Sequence, residues 1–181
     1  MTKTEAVQVN LIYLIFNSSI FSGHECMIIY IEQEDIFDIK GVTSYAHGCN
    51  CLGSMGRGVA VQFRNKFPQM YVEYHRMCRN KLFHPGDVYD YDYGDGHIYN
   101  MATQYDYCPP GELAKLEYIE VATRKMMKLA TAAGVKSIAL PTIGAGLGGL
   151  KWDDVKAVME KIASDCPDVN LFIVLNYKQK D

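Results

Sequence analysis

The chain has 181 residues, 49% of them hydrophobic and 22% charged, with a formal net charge of −3. That length and apolar content suit a single globular domain with a substantial core. No basic run stands out, which argues against gripping a nucleic-acid backbone as the main job but leaves room for a substrate carried on a nucleic-acid end.

Residues 1–26 read as an N-terminal extension ahead of a compact domain over 27–181. Leu11–Phe21 is apolar but broken by Asn17, Ser18 and Ser19, and it falls short of the roughly 20 residues that span a bilayer. Glu5 beside Lys3, with no small-x-small site after the apolar stretch, makes a poor signal peptide. The expectation is an extra strand or helix over a sheet edge; a translation start at Met27 is the alternative. No membrane partner is expected.

Met27–Glu32 is rich in β-branched residues and predicts a strand, with Gln33 to Ile36 turning the chain. Thr43–Cys49 predicts a second, buried strand. Gly53, Gly56 and Gly58 then fall within a short loop, and Val59, Phe63 and Phe67 share one face of the helix that follows. Pro68 opens another helix, in which Met70, Tyr71, Tyr74, Met77 and Cys78 form an apolar stripe. Gly86–Tyr93 and His97–Met101, around Gly94-Asp95-Gly96, predict a hairpin whose aspartates sit on a wet face.

Tyr105–Gly111 holds two prolines and a glycine and predicts a loop. Residues 112–131 carry Leu113, Leu116, Ile119, Ala122, Met126 and Leu129 at spacings of three and four, a long amphipathic helix ended by Gly134. Ser137–Leu140 predicts a short strand, Pro141–Leu150 a second glycine loop, Trp152–Ser164 a helix and Leu171–Leu175 the last strand. Strands alternate with helices, so the fold class is α/β with a mixed, mostly parallel sheet.

The six cysteines, Cys26, Cys49, Cys51, Cys78, Cys108 and Cys166, show no zinc-ligand spacing. They read as reduced thiols of a cytoplasmic protein, with no metal and no cofactor expected.

Gly144-Ala145-Gly146-Leu147-Gly148-Gly149 contains G-x-G-x-x-G between a strand and a helix, a weak dinucleotide-binding signal. The next strand ends Leu175-Asn176-Tyr177 without the acidic residue that motif expects, and too little sheet remains for a Rossmann half. Two strand-to-helix glycine loops at one end of a parallel sheet fit a diphosphate held from two sides by backbone N–H groups. Tight turns serving geometry alone are the competing explanation.

The residues Glu34-Asp35-Ile36, His47-Gly48-Cys49-Asn50-Cys51 with Gly53 to Ala60, and Pro141 to Gly149 resemble those of macrodomains, the three-layer α/β/α fold that binds ADP-ribose. The resemblance runs from Met27 to about Tyr177. It implies ADP-ribose or ADP-ribose-1″-phosphate as ligand, with ADP-ribosylated protein or nucleic-acid ends as further substrates; a monomer is expected, although nothing in the sequence speaks to oligomeric state. Asp35 would take the adenine amino group, with Ile36 at the adenine edge, although the family usually has Gly where Glu34 stands. Gly53, Ser54, Met55, Gly56, Gly58 and Val59 would hold the diphosphate and distal ribose. Thr142, Ile143, Gly144, Ala145, Gly146 and Leu147 would close from the other side, and Tyr177 would stack on the adenine.

Terminal ADP-ribose glycohydrolases of this fold use a Lys after the hairpin strand and an Asp in the second loop; Gln104 and Gly148 stand at those places here. A lysyl adduct is therefore not expected. Asn50, His47 and Gln104, with Asp106 nearby, are the catalytic candidates, His47 as acid or base near neutral pH, with a satisfied core histidine on a buried strand as its alternative. The implied reaction is hydrolysis at the 1″ position of ADP-ribose; a reader that binds without turnover is the alternative.

Overall fold

The computed structural model describes residues 27–108 and 113–178, so the readings made for 1–26 lie outside the described residues. Six strands and four helices follow one another as β1 (Ile28–Glu34), β2 (Ser44–Cys49), α1 (Ala60–Lys66), α2 (Pro68–Arg79), β3 (Val88–Asp92), β4 (His97–Ala102), α3 (Leu116–Ala132), β5 (Ser137–Pro141), α4 (Trp152–Ser164) and β6 (Asn170–Tyr177). The strands form one sheet in the order β1-β6-β5-β2-β4-β3. Every neighbouring pair is parallel except the β3–β4 hairpin.

Both faces of the sheet are covered, as a parallel sheet requires. On one face α3 and α4 bury Ile119, Met126, Val155 and Met159 against Ala46, Tyr99, Ile138 and Leu171. On the other, α1 and α2 bury Phe63, Met70 and Tyr74 against Tyr45, Cys49, Ile98 and Val174. The three-layer α/β/α architecture expected from the sequence is the one observed.

Some boundaries move. β1 runs through Gln33 and Glu34 because both pair with β6, at Asn176 and Tyr177. The same pairing carries β6 past Leu175 and puts Tyr177 on a strand. The long helix starts at Leu116 rather than 112, with Lys115 extended as its N-cap. Asp90 of the hairpin is not merely wet, since its Oδ1 bonds His97 Nδ1 at 2.7 Å. No helix of the described residues is long and apolar enough to cross a membrane.

Candidate active site

The C-terminal ends of β2, β5, β6 and β4 lie on one edge of the sheet, and the two glycine loops leave from β2 and β5 there. Between the loops is a cleft of about 440 Å³, walled by Asn50, Gly58, Gln104, Ile143, Leu147 and Tyr177 among others. It crosses four strand ends, from Tyr177 on β6 to Thr103 and Gln104 beyond β4. A second cavity, about 360 Å³, lies at the other end of the sheet, by Thr43, Gly96 and Ser137, away from both glycine loops.

Asn50 shapes the first loop. Its Oδ1 accepts from the N–H of Leu52 at 3.0 Å and of Ser54 at 3.1 Å, and its Nδ2 donates to the Ser54 carbonyl at 2.7 Å. From α2, the Tyr74 hydroxyl donates to the Asn50 carbonyl at 2.7 Å, and His75 Nδ1 bonds the Gly53 carbonyl at 3.1 Å. The loop is thus clamped on its buried side. Among the described residues, the backbone N–H groups of Gly56, Arg57, Gly58 and Val59 make no intramolecular hydrogen bond.

The second loop folds on itself through Ala145 N to Thr142 O, Gly149 N to Gly146 O and Leu150 N to Gly144 O. Among the described residues, the N–H groups of Ile143, Gly144, Gly146 and Leu147 are left without a protein acceptor. The loops approach each other over the cleft, since a Cβ on Gly58 would sit 3.4 Å from the Leu147 side chain. Unpaired backbone donors gathered around a cavity are an anion site. Arg57 is the one basic side chain lining the cleft among the described residues. The second loop is not a full copy of the first: α4 carries Asp153 and Asp154 in its first turn, which offset its own dipole, and neither lines the cleft.

At the β4 side, Gln104 Nε2 donates to the Asp106 carbonyl at 2.6 Å. Asp106 Oδ1 accepts from the N–H of Tyr107 and of Cys108, which folds this segment into a local turn. The Cys51 N–H bonds the Tyr105 carbonyl at 2.9 Å and ties the turn to the first loop. Asp106 is spent on this turn and does not wall the cleft. At the β6 side, the buried Tyr177 hydroxyl has no partner among the described residues. Burial, then the Asp35 and Asp38 carboxylates, push its pKa up to about 12.

The structure takes His47 out of the cleft. Side chains alternate along β2, so His47 shares the face of Tyr45 and Cys49, under α1. It is fully buried, its ring stacks on Phe63 at 3.8 Å, and Nε2 meets Asn100 Oδ1 at 2.9 Å. Burial lowers its pKa from 6.5 to about 4, against the raising effect of the Asn100 bond. It is a core histidine, held neutral, with no path to substrate. Met55 and Ile36 are likewise buried, and Asp35, Gly53 and Ala145 stand off the cleft wall. Asp35 sits just beyond β1, next to the Tyr177 end, with its Oδ1 accepting from the Phe37 N–H at 3.0 Å.

The histidine gives a stability prediction. The unfolded chain binds this proton near pH 6.5 and the native state only near pH 4. Its contribution is therefore complete above pH 6.5 and lost as the pH falls through 4, by about 1.4 kcal/mol per pH unit and about 3 kcal/mol in all. Urea unfolding from pH 7 to 4 should show a steeper loss for the native chain than for His47→Asn; parallel curves would contradict it.

Sequence reasoning did not single out Arg57 within its loop, gave Gly148 no part in binding, and missed Thr103, Tyr107 and Leu113 as wall residues. Cys49 also lines the cleft, but burial first, and the Cys78 and Cys51 thiols after it, raise its pKa, so it presents a thiol rather than a thiolate.

A Macro domain family model matches residues 46–159. The chain is 33% identical over 128 residues to a DNA ADP-ribosyl glycohydrolase of Mycobacterium tuberculosis, covering 68% of this chain and 36% of that protein. It is 26% identical over 140 residues to an ADP-ribose 1″-phosphate phosphatase of Lodderomyces elongisporus, covering 71% of this chain and 85% of the phosphatase. Among solved structures, the macrodomain of Mycobacterium tuberculosis DarG superposes with a TM-score of 0.75 at 28% identity, covering 86% of this chain and 99% of that one. The chain spans about a third of the length of the glycohydrolases it matches.

Proposed function

We propose that this chain, which belongs to the Macro domain family, binds ADP-ribose in the cleft and hydrolyses the group joined at the 1″ position of its distal ribose. The observation that carries the reading is the two sets of unspent backbone N–H groups, those of Gly56–Val59 and those of Ile143, Gly144, Gly146 and Leu147, on opposite sides of one cavity. They suit a diphosphate, with Arg57 adding charge. In this reading the adenine lies at the β6 side, against Tyr177 on the cleft wall, with Asp35 just beyond it. The distal ribose then lies by Asn50 and Gln104, at the β4 side.

Among the described residues, no carboxylate, histidine or lysine lines the cleft, so the reaction runs on position and fixed dipoles rather than on a protein nucleophile. Asn50 and the Gln104 amide orient a water for in-line attack at the 1″ centre. The water's oxygen forms the new bond, the bond to the departing group breaks, and the water's proton leaves with that group or to solvent. The relatives' names support two forms of substrate: ADP-ribose joined to DNA, and ADP-ribose-1″-phosphate. We favour the nucleic-acid linkage because the β4 end of the cleft opens onto exposed aromatics, Tyr105 and Tyr107.

The test is to incubate the protein with an oligonucleotide bearing ADP-ribose on a base, and separately with ADP-ribose-1″-phosphate, and to follow products by phosphorus NMR. Release of ADP-ribose is expected, lowered about 10²-fold by Gln104→Ala. Tight ADP-ribose binding with both substrates intact would replace this reading with that of a non-catalytic reader.

A further inference from the structure

The net charge of −3 hides a segregated distribution. Between Cys51 and Leu82 the chain carries Arg57, Arg64, Lys66, Arg76, Arg79 and Lys81 against a single carboxylate, Glu73, a local charge of +5. Glu73 is taken by Arg76 at 2.7 Å. Among the described residues, the other five cations have no ion pair. This segment is the first loop with α1 and α2, so the unbalanced charge lies on one side of the cleft, beginning at its wall with Arg57.

The arrangement has a direction. His75 of α2 touches the first loop at Gly53. Arg79 stands one turn further along the same helix face, and Lys81 follows at the helix end. Val72, Arg76 and Arg79 are exposed and share a stripe along a helix of about 18 Å. Leu52 and Tyr105 are both exposed, and the Cys51–Tyr105 backbone bond ties the segment after β4 to the first loop, next to Gly53, which His75 of α2 touches.

Lys81 is held against its own preference. It closes α2 in a Schellman motif, its N–H on the Cys78 carbonyl and the Leu82 N–H on the Met77 carbonyl, with φ of +56°. Glycine is the usual residue at that position, because a Cβ is strained there. Lys81 is the one non-glycine residue with positive φ among the described residues. A lysine kept where glycine fits better points to a use for its charge.

We infer that the α2 stripe, with Arg79 and Lys81 at its far end and Tyr105 and Leu52 at its near end, is a docking surface for a single-stranded nucleic-acid segment attached to the ADP-ribose in the cleft. The cations lie along the phosphodiester backbone and Tyr105 offers a stacking face for a base. This rests on the proposed reading of the cleft for its purpose, but not for its detection.

The experiment measures fluorescence anisotropy of labelled single-stranded DNA of about a dozen nucleotides at several salt concentrations, alongside calorimetric binding of free ADP-ribose. Lys81→Gly should melt at or above the wild-type temperature, bind ADP-ribose as wild type does, and bind DNA more weakly. The slope of log K against log salt should become shallower by about 0.7 for each cation removed, in Lys81→Gly and again with Arg79→Gln. Unchanged DNA affinity and slope in both variants would overturn the surface. Equal binding of poly-glutamate would overturn the nucleic-acid assignment. Intact, variant-sensitive DNA binding without any ADP-ribose binding would support the surface and sink the reading of the cleft instead.

Discussion

Asn50→Ala should abolish ligand binding at practical concentrations, lowering affinity for ADP-ribose about 100-fold and stability by about 2–4 kcal/mol. The side chain closes the first loop with three hydrogen bonds, to Leu52 N, Ser54 N and Ser54 O. Each bond of this kind is worth about 1 kcal/mol, and the donors left behind cost more where they stay buried. The larger effect is on binding. Once the loop is no longer pinned at Asn50, the N–H groups of Gly56–Val59 must be ordered by the ligand itself, and that entropy is charged against affinity. Calorimetric titration of ADP-ribose checks the first figure and urea unfolding the second. Asn50→Asp separates the two contributions, since it keeps the acceptor for Leu52 and Ser54 but loses the Nδ2 donor. An alanine variant with wild-type affinity would mean that the first loop's shape does not depend on Asn50.

Gly148→Asp should also lose binding, although it introduces the residue type that the resemblance to terminal ADP-ribose glycohydrolases implies for this loop. A Cβ at Gly148 would lie 2.6 Å from the Gly144 carbonyl oxygen and 2.7 Å from the Ala114 Cβ. Neither is the far end of a flexible side chain, so backbone must move. The second loop would have to open at the point where Leu150 N bonds Gly144 O. The expected cost is about 1–3 kcal/mol in stability and a loss of ADP-ribose affinity of about tenfold or more, with no gain in turnover. Gly148→Ala should show most of the same loss, which separates steric displacement from the added charge. Faster hydrolysis by Gly148→Asp would contradict the geometry and favour an acid-assisted mechanism.

The strand and helix pattern was legible because it is local. The small and apolar run in Thr43–Cys49 and three–four spacing in residues 112–131 depend only on near neighbours, and both glycine loops stood out by composition. His47 shows what local reading misses even when the signal is present. Its parity with Tyr45 and Cys49 already put it on a core face, but a histidine beside a glycine motif invited a catalytic role. Tyr107 and Thr103 were out of reach for another reason. They join the cleft because β4 pairs with β2, a contact between strands separated by α1, α2 and β3 that no pattern within either strand records. The boundary shifts at β1 and β6 have the same origin, since Gln33, Glu34 and Tyr177 become strand only by pairing with each other's strand.

The basic side of the molecule was likewise hidden by averaging. A chain-wide charge of −3 gave no hint that carboxylates are concentrated elsewhere, at Glu32, Glu34, Asp35 and Asp38 and on the hairpin at Asp87, Asp90, Asp92 and Asp95, while the first loop and α2 are left positive. The strained backbone at Lys81 is invisible without coordinates, because Asn80-Lys81 carries no glycine to mark the helix end.

The central claim is that both glycine loops offer backbone N–H groups to one diphosphate. The most direct measurement is a proton–nitrogen correlation spectrum of the labelled protein titrated with ADP-ribose. The amides of Gly56–Val59 and of Ile143, Gly144, Gly146 and Leu147 should move together with a single saturation curve, while those around Thr43, Gly96 and Ser137 at the other end of the sheet should stay in place. Shifts confined to one loop, or centred on that far cavity, would contradict it.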